Sequence, residues 1–216
     1  MAPKPAKNAK ITTKKVLMDA TLSKISGGAS FDSLSLREVA KSSGVVPSAF
    51  YRHFKGMDEL GLALIEESFN TFNTILLELT HSASRGEQNS SELISAYVDN
   101  LTNNVKQLRF LISEYFNGSF QLKAWVKKEL QILQSKIATE IALIYSNKNL
   151  NADDLNLLSE MFVQISIIMA KKVLDQMQED SSEPDAQSQK NEELVYSLGR
   201  QLRILLLGVQ HWESDR

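Results

Sequence analysis

The fold is decided by residues 35–54, which read SLREVAKSSGVVPSAFYRHF. In this stretch Ala40, Gly44 and Phe50 stand four and six residues apart. A helix-turn-helix needs a small residue where its second helix crosses the first and an apolar residue midway along the second helix. It also needs glycine at the turn, where φ is positive. The rest of a small core would come from Leu36, Val39, Val45 and Phe54.

Start and stop signals fit the same prediction. Ser35 with Glu38 three residues later predicts a capping box at the start of a helix over residues 36–43. Gly44 ends that helix. Pro47 then suits the first turn of a second helix that reaches Phe54, because proline lacks only an N–H that this position does not need.

The remaining chain carries apolar residues at helical steps of three and four. Two further helices are predicted on either side of this pair, Thr12–Ser26 and Met57–Thr80. The others are predicted over Leu93–Asn103, Val105–Phe116, Phe120–Tyr145, Asp153–Gln178 and Asn191–Glu213. Polar segments 81–91, 146–152 and 179–189 separate the longer ones, and no segment alternates with period two. The sequence therefore predicts an all-α protein of about nine helices.

The composition excludes several kinds of catalytic and metal site. The 216 residues are 43% hydrophobic and 23% charged, which is ordinary for a globular protein, and they include no cysteine. Disulfides, thiolate zinc sites and iron–sulfur clusters are thereby excluded. No Gly-rich phosphate loop and no Gly-x-Ser-x-Gly motif occurs. We expect no catalytic site, no metal site and no cofactor.

Charge is unevenly distributed along the chain. Residues 1–56 carry ten Lys/Arg and three Asp/Glu, whereas residues 57–216 carry fourteen and twenty-three. A basic head on an acidic body favours binding to a polyanion, although a solvated lysine tail would give the same count. In a helix-turn-helix the second helix would present side chains to the major groove of DNA. These side chains are Ser48, Ala49, Tyr51 and Arg52.

The sequence predicts three regions. Residues 1–11 form a disordered basic tail, residues 12–56 a helix-turn-helix domain, and residues 57–216 a larger helical domain. The longest strongly apolar stretch, residues 204–209, is too short to span a membrane. The first residues lack the apolar segment of a signal peptide, so we expect a cytoplasmic protein without membrane contact.

A family resemblance adds to this interpretation. Residues 31–40, 44–54 and 58–60 read FDSLSLREVA, GVVPSAFYRHF and DEL, and they resemble the DNA-binding domain of TetR-family transcriptional regulators. More narrowly, they look like the FabR-type repressors of unsaturated fatty acid synthesis. The resemblance is strong over residues 31–62 and loose beyond them. It implies a repressor that binds double-stranded DNA at an inverted-repeat operator.

The resemblance also implies roles for matching residues. Tyr51, His53 and Lys55 match residues that usually contact DNA phosphates, and the hydroxyl and amide of Ser35 match a further phosphate contact. Pro47 and Ser48 match positions near the bases. The chain departs from the wider family at Val46-Pro47, where Ser-Lys is common, and at Ala49, where threonine is frequent. Ala49 would offer a methyl contact to thymine, and Arg52 would reach phosphate or guanine.

The last two predicted helices carry apolar stripes at 155, 158, 162, 165, 169 and 173 and at 194, 198, 202, 205, 209 and 212. These stripes suit either the core of one chain or a bundle between two copies. The resemblance, together with the two-fold operator, favours a homodimer. Small residues would permit a close approach of the helices at Ser166, Ala170, Gly199 and Gly208.

The middle of the chain is rich in large apolar residues that suit either a packed core or an effector pocket. They are Phe69, Phe72, Tyr97, Phe110, Phe116, Trp125 and Phe162. The resemblance implies a long-chain acyl thioester as the effector, acyl-CoA or acyl carrier protein. A regulator of drug efflux, or of another small-molecule response, is the alternative within the family. An acyl-binding carrier protein is the alternative outside it.

Overall fold

The computed structural model describes residues 7–84, 90–148, 150–178 and 184–212. These residues form nine α-helices and one 3₁₀ turn, without a strand, which confirms the predicted all-α class. The amino-terminal elements are α1 (Lys7–Ser26), the 3₁₀ turn (Phe31–Ser33), α2 (Leu36–Ser42) and α3 (Pro47–Phe50). The longer helices are α4 (Met57–Ser84), α5 (Ser90–Asn103), α6 (Val105–Asn117), α7 (Phe120–Ile144), α8 (Ala152–Gln178) and α9 (Pro184–His211).

Some bounds differ from the predicted ones. Helix α1 begins at Lys7, inside the predicted tail, because alanine and lysine are good helix formers even in a basic segment. Helix α9 begins at Pro184, inside the predicted loop, because proline is tolerated in a first helical turn. Residues 1–6 of the tail and 179–183 of the loop lie outside the described residues.

The described residues divide into two compact units. The first comprises residues 1–68 and 109–127, and the second comprises residues 69–108 and 128–216. The predicted domain boundary after residue 56 stays a prediction. The start of α4, the end of α6 and the start of α7 group with the helix-turn-helix.

The core of the first unit is built where α2 packs against α1 and α3. Leu17 of α1, Val39 and Ala40 of α2, and Phe50 of α3 are all fully buried. The Phe50 and Phe54 rings lie 5.5 Å apart between their centroids. Burial of such large apolar side chains is the main term that stabilises a small helical unit.

A second contact region of the first unit joins the 3₁₀ turn to α4, α6 and α7. Phe31 is buried, and its ring centroid lies 5.8 Å from that of Phe110 in α6. Gly61 of α4 leaves no room for a side chain, because a Cβ there would come within 2.9 Å of both Phe31 and Leu122. This close packing explains why residues 109–127 belong to the same unit as the head.

The second unit contains α5, α8 and α9, which pack on one another. The indole N–H of Trp212, just after α9, donates to Asp154 Oδ1 in α8 at 3.0 Å, so the two helices run antiparallel. Most of the predicted stripes are buried here within one chain: Phe162, Met169, Val173, Leu194, Leu198, Leu202, Leu205 and Val209. Most positions of these stripes therefore pack within one chain, and the homodimer predicted from them stays a prediction. Gly199 likewise lies against Ile94 of α5.

A membrane-spanning helix needs about 20 mostly apolar residues. None of the helices in the described part of the chain is long and apolar enough to cross a membrane.

Gly44 gives a stability test, because its φ is +67° and open space surrounds the site of a Cβ. We expect Gly44→Ala to lower the free energy of unfolding by about 1–2 kcal/mol, the cost of this conformation for an L side chain. Gly44→Asn should cost less, because asparagine tolerates the left-handed region. Urea unfolding of both variants measures the difference, and equal losses would show that φ is not the cause.

Candidate nucleic-acid interface

The turn between α2 and α3 is closed by two backbone hydrogen bonds. The N–H of Val45 donates to the Ala40 carbonyl at 3.0 Å, and the N–H of Gly44 donates to the Lys41 carbonyl at 3.2 Å. These bonds and the positive φ of Gly44 form a Schellman motif, which ends α2 sharply. The motif fixes the direction in which the chain enters α3.

Helix α3 presents its start to solvent. Val46 is the N-cap, with extended backbone, and Pro47 follows in the first turn. Pro47 and Ser48 are exposed, Ala49 is half-buried and Phe50 is fully buried. Val46 is 64% exposed, so this apolar side chain is more available to a partner than Ala49. Sequence reasoning treated Val46 only as a departure from the family pattern.

The helix is shorter than predicted, since it ends at Phe50 and not at Phe54. Residues 51–53 continue as turns, in which the N–H of Arg52 donates to the Ala49 carbonyl and that of His53 to the Phe50 carbonyl. Such tight bonds are common at the last turn of a helix. Tyr51 and Arg52 are exposed, whereas His53 is half-buried.

The predicted capping box at the start of α2 is present. The Glu38 N–H donates to Ser35 Oγ at 3.3 Å, while the amide and the hydroxyl of Ser35 both donate to Glu38 Oε2 at 2.8 Å. Both hydrogen bonds lower the pKa of the Glu38 carboxyl because they stabilise its ionised form, and the backbone N–H of Ser35 has the larger effect. The donors expected to meet a DNA phosphate are thus already bound to an anion of this chain.

Two lysines lie at the end of the surface formed by residues 35–55. The backbone N–H of Lys55 donates to Glu59 Oε2 at 2.6 Å, and the Lys55 side chain is exposed. Lys14 Nζ of α1 lies 5.6 Å from the centroid of the Phe54 ring, a cation–π distance. The sequence did not single out Lys14, because only the packing of α1 brings it to the end of residues 35–54.

The charge of this surface suits a polyanion. Exposed cations lie along residues 35–55 at Arg37, Lys41, Arg52 and Lys55. Glu38 is the acidic residue in that range, and its carboxylate is held by Ser35. Exposed hydroxyls accompany the cations at Ser48 and Tyr51. Cations and hydroxyls of this kind bind phosphate oxygens and base edges.

The residues expected to line an effector pocket are divided between the units. Phe69, Phe72, Tyr97 and Phe162 are buried in the second unit. The other three belong to the first unit: Phe110 is buried against Phe31, Phe116 is 52% exposed and Trp125 is half-buried.

The helix-turn-helix region matches a known protein family. Residues 27–64 match the tetR family of bacterial regulatory proteins. This segment covers α2, the Schellman turn, α3 and the start of α4. The chain therefore carries a TetR-family amino-terminal domain.

Solved structures share the fold over most of the chain. The fatty acid degradation regulator FadR from Bacillus halodurans is 15% identical, with 97% of this chain and 100% of that chain covered and a TM-score of 0.62. FadR from Bacillus subtilis, in complex with stearoyl-CoA, is 16% identical over 90% and 98%, with a TM-score of 0.62. A TetR/AcrR-family regulator from Thermobifida fusca is 18% identical over 94% and 98%, with a TM-score of 0.52.

Proposed function

We propose that this chain, with its TetR-family amino-terminal domain, is a DNA-binding transcriptional repressor that acts as a homodimer in the cytoplasm. The observation that carries the proposal is the packing of α3 against α2, in which Ala40 is buried. Ser48 of α3, and Tyr51, Arg52 and Lys55 just after it, are exposed. A rigid pair of helices with exposed cations and hydroxyls is the arrangement that reads a major groove. Protection of its own promoter region in a footprint tests the proposal.

The residues of this surface divide into two roles. Ser48 and Pro47, at the start of α3, face the bases, and the methyl groups of Ala49 or Val46 contact thymine. Tyr51, Arg52, His53 and Lys55 bind phosphates and so position the head without reading sequence. Ser35 joins the second group when a phosphate replaces the Glu38 carboxylate on its amide and hydroxyl.

The two roles predict different mutant behaviour. Tyr51→Ala and Lys55→Ala should weaken binding to all sequences by about 1–3 kcal/mol each if the contacts are direct, and Lys55→Ala should reduce the salt slope by about one. Ser48→Ala should change the preferred base. Selection from randomised DNA measures both effects. Lys136→Ala, an exposed lysine of the second unit, is the control, and an unchanged base preference would remove Ser48 from the specificity set.

An exposed apolar face on α8 and α9 supports the homodimer. Leu157 and Met161 of α8 and Ile204 of α9 are 51%, 39% and 66% exposed. They line a surface groove together with Asp154, Leu158, Leu205, Gly208, Val209 and Trp212. Gly208 has open space at the position of a Cβ, so a second backbone can approach it. Solvent-exposed apolar patches on paired helices are typical of subunit interfaces.

We expect Ile204→Glu to dissociate the dimer, because it places a charge in the middle of this apolar face. Leu143→Glu is the matched control, since Leu143 is also 66% exposed but lies outside the groove lining. Sedimentation equilibrium gives the mass of each variant. The wild type should protect an inverted repeat with two-fold symmetry. An Ile204→Glu protein that remains a dimer would refute this interface.

The effector proposed here is a long-chain acyl thioester, acyl-CoA or acyl carrier protein. One structure that shares the fold contains stearoyl-CoA, and the second unit buries Phe69, Phe72, Tyr97 and Phe162. Burial raises the pKa of Tyr97 to about 12, while a hydrogen bond with Ser166 lowers it. These four buried side chains give the second unit an apolar interior of the kind that suits an acyl chain.

Operator binding titrated with acyl-CoAs of graded length tests the effector. Each added methylene should strengthen the binding of the acyl-CoA by roughly 0.8 kcal/mol until the apolar space is full, so a lower concentration should suffice to shift operator affinity. A ligand changes DNA affinity only if it binds the two states of the protein unequally. If a cationic drug shifts the affinity and no acyl thioester does, the protein regulates efflux. Acyl binding without any DNA binding would indicate a carrier.

A further inference from the structure

A buried carboxyl lies in the first unit, away from the surface proposed for DNA. Glu114 of α6 is 2% exposed, and it is the charged side chain among the buried residues of the described chain. Buried charges are rare because the interior solvates them poorly, so such a group requires an explanation. The proposed DNA contacts and the acyl effector do not use Glu114.

The packing of Glu114 fixes its place. Its Oε2 atom lies against Gly118, in the turn between α6 and α7. A Cβ on Gly118 would come within 2.7 Å of the Glu114 carbonyl oxygen and closer still to Oε2. Glycine at position 118 therefore makes room for the carboxyl inside this elbow, which we define as residues 109–127.

A second contact of the elbow reaches the turn that leads into the helix-turn-helix. Phe110, one helical turn before Glu114, packs on Phe31, and Asp32 follows in the same 3₁₀ turn. Charged groups act on Glu114 from two elements, Asp32 of the 3₁₀ turn and Lys123 of α7. Helix α4 meets this region with Gly61, which has no side chain.

The surroundings of the carboxyl favour its neutral form. Burial, and then the Asp32 carboxylate, raise the pKa of Glu114 to about 7, while the Lys123 ammonium lowers it. A loosened elbow would return the carboxyl to water, where its ordinary value is 4.5. Ionisation therefore disfavours the packed arrangement and favours a loosened one.

We propose that Glu114 is a proton-controlled latch, whose ionisation loosens the 3₁₀ turn from the elbow and so lowers the affinity of the head for DNA. The loosening acts through the Phe110–Phe31 contact, because the contact described for the carboxyl itself is with Gly118 inside the elbow. Its effect on DNA rests on the proposed function, because a head that is less well ordered before binding must be ordered at a cost in affinity.

The sign follows from the two pKa values. Below pH 4.5 the carboxyl is neutral in both arrangements, and the packed one carries no penalty. Between pH 4.5 and about 7 the carboxyl is ionised in the loosened arrangement but still protonated in the packed one. The packed arrangement therefore becomes less stable relative to the loosened one as the pH rises. Above about pH 7 both are ionised and the loss is complete. One linked proton limits the effect to about tenfold per pH unit.

The test compares wild type with Glu114→Gln between about pH 5.5 and 8, a range that covers the upper part of the window set by the linked proton and the plateau above it. Hydrogen exchange of the amides of residues 31–42, measured at matched pH, reports the loosening of the 3₁₀ turn without DNA. Operator affinity reports the effect of this loosening on DNA binding. We expect the wild type to lose protection and affinity up to about pH 7 and then to level off, and Glu114→Gln to keep both. Glu66→Gln, an exposed carboxyl of α4, should follow the wild type.

Two charge variants keep the proposal testable if Glu114→Gln does not fold. Asp32→Asn removes a repulsion and should bring affinity and protection at pH 8 closer to their low-pH values. Lys123→Gln removes an attraction and should lower both further. Shifts in the same direction, or a Glu114→Gln protein that tracks the wild type at every pH, would overturn the latch. Absence of DNA binding at all pH values, with the exchange difference intact, would refute the proposed function and leave the latch standing.

Discussion

The head depends on the crossing of α2 and α3 at a residue without a bulky side chain. Ala40 and Phe50 are both fully buried, and the Schellman bonds of Gly44 and Val45 fix the angle at which α3 leaves the turn. A larger side chain at Ala40 would push α3 away, and the burial of Phe50 would be lost with it. The exposure of Ser48, Tyr51 and Arg52 follows from this packing, because Phe50 holds the opposite side of α3 against the core.

The sequence was most informative where structure is set by neighbouring residues. The capping box of Ser35 and Glu38, the turn at Gly44 and the start of α3 at Pro47 each depend on a few adjacent positions, so their pattern was enough to locate them. The apolar periodicity also located the long helices. It could not assign their stripes, since a buried side chain has the same period whether its partner is the same chain or a second copy.

Tertiary packing determined what local patterns could not. Residues 109–127 group with the head because Phe31 packs on Phe110 and because Gly61 lets Leu122 approach α4. No spacing within α6 or α7 signals these contacts. The same limit explains why the predicted effector residues fall into two units: large apolar side chains are expected in any core, and their residue type does not say which one.

Two glutamates of the first unit show how environment decides the role of a carboxyl. Glu38 is fully exposed and accepts hydrogen bonds from Ser35, so its ionised form is stabilised and the cap is intact at neutral pH. Glu114 is buried beside Asp32, so its neutral form is stabilised. The segment from the 3₁₀ turn to α2 therefore lies between a carboxylate that holds it when charged and an elbow whose buried carboxyl is most stable when neutral. Near neutral pH these requirements conflict, and the contact with the elbow is the one that weakens.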